Sequence, residues 1–397
     1  KQCSQQPTKE REVTLRDKAC VTGVGETTYL RGSSQSAFEL QIEASLKAIA
    51  DAGLDPKQID GVIPIGIVSA TAEDFIDNFG IPDLRFSAIV PHGGASPVMA
   101  LQCAAAAVAA GVCNHVLIAF GRNVTGAAAT KAGARIHTMP QFHYVTEFEY
   151  PIGNAAPAQI YAPMAQRHMA LYGTKVSHFG EVAVAHRQHA LLNDNAVMKK
   201  PMTLEDHANS RMIADPFRLF DCSLESDGGA ACIVSAAERA SDLKHRRVFI
   251  SGTAAGHPDQ PGAITQRPDM TSLGIAKAAQ RAFQMAGVTH ADIDVAEIYD
   301  CFTYAVIRQL EDLGFCKKGE GGPFVEGGRL RLDGALPTNT HGGLLSQAHV
   351  WGLNHIVELV RQLRGNAGRA QVKDAEVGLV TGYGDLGDGA VAIMRRD

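Results

Sequence analysis

The sequence predicts an α/β protein built by duplication, and three observations carry that expectation. First, two segments repeat one pattern. EASLKAIADAGLDPKQIDGVIPIG from Glu43 and AKAAQRAFQMAGVTHADIDVAEIYD from Ala276 each read as an amphipathic helix, Ala-Gly-aliphatic, four residues, Ile-Asp and an apolar strand. Second, another pair follows in the same order, since helices ending at Gly111 and at Gly365 both run on into strands. Third, strands and helices alternate along most of the chain, which predicts mostly parallel sheets with helices on their faces.

The elements follow in order. Residues 1–18, KQCSQQPTKEREVTLRDK, are polar and lack the apolar core of a signal peptide, so they read as a flexible tail. Half one, 19–247, holds strand ACVTGVGE, helix 36–52, strands 60–67 and 86–90, a helix from Pro97 to Ala110 and strand HVLIAF at 115–120. Half two, 248–397, holds strand VFISGTAAG, helix 271–286, strand 292–298, helices 303–313 and 351–364, and strands 376–382 and 389–394. Gly53 and Gly287 fit left-handed caps of the matching helices. Within half one, 121–229 reads as an insertion capping the site, with helical stretches at 157–172 and 176–192. It leads into AACIVSA at 230–236, expected as an edge strand.

From Ala95 to Phe120 there is no Asp, Glu, Lys or Arg over 26 residues. Gly111, Asn114 and His115 break the run, well short of the about 20 apolar residues of a membrane span. A helix apolar on every face is instead a helix buried inside the protein. At 397 residues the chain has room for two or three domain-sized units. A net charge of −5 and no basic stripe exclude nucleic acid as a partner. Eight cysteines without CxxC or CxxH spacing exclude a cysteine zinc site and fit a reducing, cytoplasmic setting.

The candidate site follows from the duplication. Counting back 17 residues from Gly111 reaches Gly94, in the turn PHGGASP; the same count from Gly365 reaches Ala348, beside His349 in GGLLSQAHVWG. Equivalent loops of a duplicated fold face each other, so these two turns are expected to meet. Two more loops leave strand ends of half two: EIYDCFTY, with Tyr299, Asp300 and Cys301, and TGYGDLGDGAV, with Tyr383 and Gly384. Strand C-terminal ends are where α/β sheets place ligands. Spacing alone yields a duplicated α/β protein with a polar pocket.

The stretches SRMIADPFRLFDCSLESDGGAACIVSAAERA, LEDLGFCKKGEG, LPTNTHGGLLSQAH and VRQLRG resemble the thiolase superfamily, most of all its sterol-carrier-protein thiolase branch, and the likeness runs from about Ala19 to Met394. It implies a five-layered α-β-α-β-α fold with two helices in the central layer, and a coenzyme A thioester as substrate. The catalytic positions depart from the family's pattern. Gly94 stands where a thiolase has its nucleophilic cysteine, the His-Asp-Cys-Phe loop reads Tyr299-Asp300-Cys301-Phe302, and Tyr383 stands for the second cysteine. The Gly-His-Pro histidine is kept as His349.

These departures resemble the steroid side-chain aldolases of the superfamily. They imply retro-aldol cleavage of a bulky β-hydroxyacyl-CoA to a ketone and a shorter acyl-CoA, with no acyl-enzyme. On that reading Tyr299 and His349 transfer protons, in either order. Gly94 leaves room for the β-carbon, and its amide joins the Tyr383–Gly384 turn as an oxyanion site. His92, Asp300 and Cys301 support or line the site. Two alternatives stand beside it: a transferase acting through Cys301, and a non-catalytic CoA-ester-binding subunit. No cofactor or metal is expected in the chain. The resemblance also implies a homodimer, with 115–120 as the pairing edge, and a separate small OB-fold, zinc-ribbon partner protein.

Overall fold

The computed structural model describes residues 14–66, 70–126, 145–154, 156–240, 244–260, 267–384 and 387–397. Helices of eight residues or more are numbered α1–α8. Half one runs β1 (Ala19–Glu26), α1 (Ala37–Ala52), β2 (Gly61–Pro64), α2 (Ala72–Phe79), β3 (Phe86–Ser87), α3 (Ser96–Ala109) and β4 (His115–Arg122). The intervening region holds α4 (Pro157–Tyr172), α5 (Val176–Ala190), a small hairpin of β5 (Met212–Ala214) and β6 (Phe217–Arg218), and then β7 (Gly228–Ala236). Half two runs β8 (Val248–Gly256), α6 (Gly274–Ala286), β9 (Val295–Glu297), α7 (Thr303–Leu313), α8 (Leu353–Arg364), β10 (Val377–Tyr383) and β11 (Gly389–Arg396).

The strands order as β3-β2-β4-β7-β1-β8-β11-β10-β9. This is one arrangement written twice and joined at its centre, where β1 meets β8 only through Cys20↔Phe249 and Val21↔Val248. The duplication reaches single residues. A Cβ at Gly23 of β1 would strike the carbonyl of Ala48 in α1, and one at Gly252 of β8 would strike that of Ala282 in α6. Both helices end on the expected left-handed glycines, Gly53 (φ 73°) and Gly287 (φ 67°).

Contacts set out five layers. α1 lies on half one of the sheet and α6 on half two, while α3 and α8 each touch strands of both halves and fill the middle. The uncharged α3 is buried over most of its length, with Ala100, Leu101 and Ala104 at 0% exposure. A charge anywhere on it would be stranded between the two halves of the sheet.

Three expectations change. The sheet is mixed, because β4–β7, β7–β1, β8–β11 and β10–β11 pair antiparallel while β2–β3, β2–β4 and β9–β10 are parallel. The last strand of each half returns antiparallel beside an earlier one, β11 directly after β10 and β7 beside β4 after the region that holds α4 and α5. Residues 230–236 are no edge: β7 pairs with β4 on one side and β1 on the other. Nor is 115–120, since β4 lies between β2 and β7; the outer strand of half one is β3. At the start of the chain, Asp17 is tied down, its N–H donating to Ile250 O (3.1 Å) and its carboxylate accepting from Ser251 Oγ (2.7 Å).

Candidate active site

Tyr299 leaves β9 and is fixed through its backbone. Its N–H donates to Thr381 Oγ1 of β10 (2.9 Å), its carbonyl accepts from Gln309 Nε2 of α7 (2.6 Å), and Thr381 Oγ1 donates to Gln309 Oε1 (2.7 Å). The ring is thereby aimed between two glycines, one in front of each central helix. A Cβ at Gly94 would overlap the Tyr299 hydroxyl and Cζ, and one at Gly352 would lie 2.8 Å from Cδ2. The two turns expected to face each other do so, with Tyr299 clamped between them. Gly94 therefore leaves no vacant space for a substrate carbon: the end of the Tyr299 phenol fills it.

The Tyr299 hydroxyl lies 3.2 Å from His349 Nε2. His349 in turn is held on all sides. Its N–H donates to Ser226 Oγ (2.8 Å), its carbonyl accepts from Arg122 Nη1 (3.1 Å), and its Nδ1 lies 3.2 Å from Ser223 Oγ. Burial, with the Arg122 guanidinium next, holds this imidazole well below its ordinary range. A neutral ring has one donor and one acceptor nitrogen. Nδ1–H donating to Ser223 leaves Nε2 as acceptor for the phenol proton, and the reverse tautomer makes Nε2–H the donor. Arg122, Ser223 and Ser226 were not singled out from sequence; the two serines belong to the DCSLESDGG run, whose chemistry shows only when His349 is beside it.

Tyr383 is buried at 2% and stacks in parallel with Tyr299 (6.3 Å, 10°) and against Tyr161 (5.6 Å). Burial pushes its hydroxyl well above the usual tyrosine range, so it remains a protonated donor. The Gly384 amide is already used: it donates to Asp388 O (2.8 Å) within the β10–β11 turn. The Gly94 amide lies in the first turn of its helix, where backbone N–H groups lack a helical carbonyl.

Asp300 sits at 0% exposure behind Tyr299. It accepts from Leu344 N (2.7 Å), Leu345 N (3.3 Å) and His186 Nδ1 (2.9 Å), and lies 3.2 Å from His355 Nε2. Those bonds keep it ionised, and they make it a positioning group under the 343–346 turn. From Asp300 a buried chain continues through His355 Nδ1 to His341 Nε2 (2.9 Å) and His341 Nδ1 to Glu297 Oε2 (3.0 Å), where burial raises the carboxyl to about 7. Cys301 is buried at 8%, and its carbonyl accepts from Ser223 N (2.9 Å). His92 stands just before Gly94, with Nδ1 at 3.3 Å from Asp388 Oδ2.

The family model described as Thiolase C-terminal domain-like matches residues 256–396. The 17-hydroxy-3-oxo-4-pregnene-20-carboxyl-CoA lyase of Mycobacterium tuberculosis is 39% identical over 360 residues, 89% of this chain and 93% of that one. This chain belongs to the thiolase superfamily. Within that superfamily it is also similar to the steroid side-chain-cleaving aldolase of Thermomonospora curvata, at 38% identity over 89% of this chain and 92% of the relative. The solved Ltp2-ChsH2(DUF35) aldolase superimposes with a TM-score of 0.90 at 36% identity, covering 97% of this chain and 99% of that chain. The five-layered thiolase fold is thereby established. No helix among the described residues is long and apolar enough to cross a membrane.

Proposed function

We propose that this member of the superfamily is a carbon–carbon lyase: an aldolase cleaving a bulky, steroid-like β-hydroxyacyl-CoA into a ketone and a shorter acyl-CoA. One observation carries the reading. The place of a thiolase nucleophile is taken by Gly94, and the space above it by the Tyr299 phenol, hydrogen-bonded to His349. An acyl-enzyme has no sulfur there to form on, whereas a proton-transfer pair is in place. The names of the two lyase relatives supply the substrate class.

The reaction needs no net proton. The Tyr299–His349 pair removes the proton of the β-hydroxyl, the Cα–Cβ bond breaks, and its electron pair passes into the thioester enolate as the β-carbon becomes a ketone. The pair then returns a proton to Cα. Proton transfer by a positioned side chain contributes about 10²–10⁴-fold. His349, held neutral, can accept from Tyr299 without first losing a proton to solvent. The enolate oxygen is stabilised by the Gly94 amide at the start of its helix. Because reactant and products balance, no redox cofactor takes part.

The same reading includes assembly. The chain forms a homodimer, with β3 as the pairing edge: it bonds to β2 on one side, and Ile89 just beyond it is 78% exposed. A separate small OB-fold, zinc-ribbon protein is its working partner, in line with the two-component name of the aldolase it superimposes on. The chain works in the cytoplasm. The test of function is incubation with a panel of β-hydroxyacyl-CoA esters, steroid-like and simple, following ketone release. Cleavage of the bulky members supports the reading; no ketone from any member, with or without the partner, overturns it.

A further inference from the structure

Three distant parts of the chain meet beside the Gly94 turn, at the protein surface. His92 precedes that turn, His257 follows the end of β8, and Asp388 precedes β11. Asp388 Oδ1 lies 2.7 Å from His257 Nδ1, and Oδ2 lies 3.3 Å from His92 Nδ1. The two imidazole rings stand 5.4 Å apart. One donor atom from each residue lies within 4.8 Å of the others.

The geometry points to a divalent transition-metal site of the zinc class, formed by His92, His257 and Asp388, that clamps the two halves of the fold together beside the active site. Two imidazoles and one carboxylate are the donor set of zinc and its neighbours, whereas calcium and magnesium take oxygen ligands. Ligand bonds of about 2.0–2.2 Å place tetrahedral donor atoms about 3.3 Å apart, so binding opens His257 from Asp388 and draws together any pair lying toward the 4.8 Å limit. Side-chain exposures of 35% for His92, 56% for His257 and 13% for Asp388 leave an entry path and an open fourth position.

Hydrogen bonds and strand pairing hold the supports of the site. The His92 N–H donates to Ser96 Oγ (2.9 Å), and its carbonyl accepts from Ala95 N (3.0 Å). Gly256 and Gly389, the neighbours of His257 and Asp388, pair across β8 and β11. The sequence expectation of no metal rested on cysteine spacing, and this set contains no cysteine; its members are brought together only by the fold. An ion here ties the turn before α3, from half one, to the β8 end and the β10–β11 turn, from half two. It supplies no step of the cleavage reaction. Arg267 lies beside Gly387 and interacts with Asp388, so its positive charge works against a bound cation and the Asp388 carboxylate has to offset it.

The experiment uses the full chain, stripped with chelator and titrated with Co²⁺, following the visible absorption of the tetrahedral ion and its displacement by Zn²⁺. One saturable equivalent is expected, together with a rise in melting temperature on Zn²⁺ addition that chelator reverses. His257→Ala, an exposed position that leaves the fold intact, weakens binding by about 10–100-fold or more, and Asp388→Asn by more than His257→Ala. Glu297→Gln, in the buried chain of His341 and His355, leaves binding unchanged. Absence of saturable Co²⁺ binding, equal binding by wild type and His257→Ala, or loss of binding in Glu297→Gln alone overturns the proposal.

Discussion

The Tyr299 hydroxyl stands 3.2 Å from His349 Nε2, directly above the α-carbon of Gly94. A tyrosine from half two thus occupies the ground in front of the central helix of half one, and the histidine it meets precedes the other central helix. The chemistry of the site depends on that three-way fit.

Removing the hydroxyl alone isolates its role. Tyr299→Phe keeps the ring between Gly94 and Gly352 and is expected to fold normally, while turnover falls by about 10²–10⁴. Melting temperature and initial rate, measured on one preparation, check this. A variant with near-normal turnover removes Tyr299 from the mechanism.

Gly94→Ala should be harmful for a steric reason, since its backbone is not in the left-handed region. The new methyl collides with the phenol, with an expected loss of about 1–3 kcal/mol in stability and displacement of the hydroxyl from His349. With Tyr299→Ala in the same chain the collision is gone, so the double variant should be about as stable as Tyr299→Ala alone and should have none of the activity. Urea denaturation of the four proteins tests the coupling, and additive losses would contradict it.

Arg122 sets the pH range. Its guanidinium helps burial to hold His349 below its ordinary range, so the neutral ring persists in mild acid. Activity requiring that neutral ring is lost as pH falls through its pKa. Arg122→Gln removes the cation, raises that pKa and moves the acid limb of kcat/KM toward higher pH, while Arg122→Lys leaves it near the wild-type position. An unmoved limb in Arg122→Gln rules out this electrostatic role.

Acid should also weaken the fold. Burial depresses His189 (to about 3), His341, His349 and His355 in the native state, whereas the unfolded chain protonates histidine near 6.5. Below that value the unfolded state binds more protons, so each group loses stability as pH falls toward its native pKa. Glu297, raised to about 7, and Glu358 and Asp312, also raised, act in the opposite sense, three groups against five once His115, likewise depressed by burial, is counted. The melting temperature should therefore drop between pH 7 and pH 5. A constant or rising value contradicts that balance.

Much of this was legible in the sequence because duplication doubles each signal. The Ala-Gly-aliphatic repeats placed α1 and α6, the absence of charge placed α3 at the centre, and counting from helix-ending glycines brought Gly94 toward His349. What could not be read was partner choice. Strand AACIVSA is an apolar run that is buried throughout, and such a run does not say whether it pairs on one side or on both, so β7 was misplaced. Gly94 looked like vacant space because a glycine does not announce which side chain fills its missing Cβ. Arg122, Ser223 and Ser226 gained meaning only through contacts with a residue more than a hundred positions away. The carboxylate–histidine chain from Asp300 to Glu297 was likewise assembled by folding alone.

The central claim is cleavage by proton transfer without an acyl-enzyme, and product analysis in D₂O tests it most directly. The chain, with its partner protein where needed, is incubated with a steroid-like β-hydroxyacyl-CoA and no free CoA, and products and intact protein are weighed by mass spectrometry. The account predicts one ketone and one acyl-CoA per substrate, solvent deuterium on the α-carbon of the acyl-CoA, and an unmodified protein. Dependence on added CoA, or an acyl group covalently held on Cys301, would contradict it.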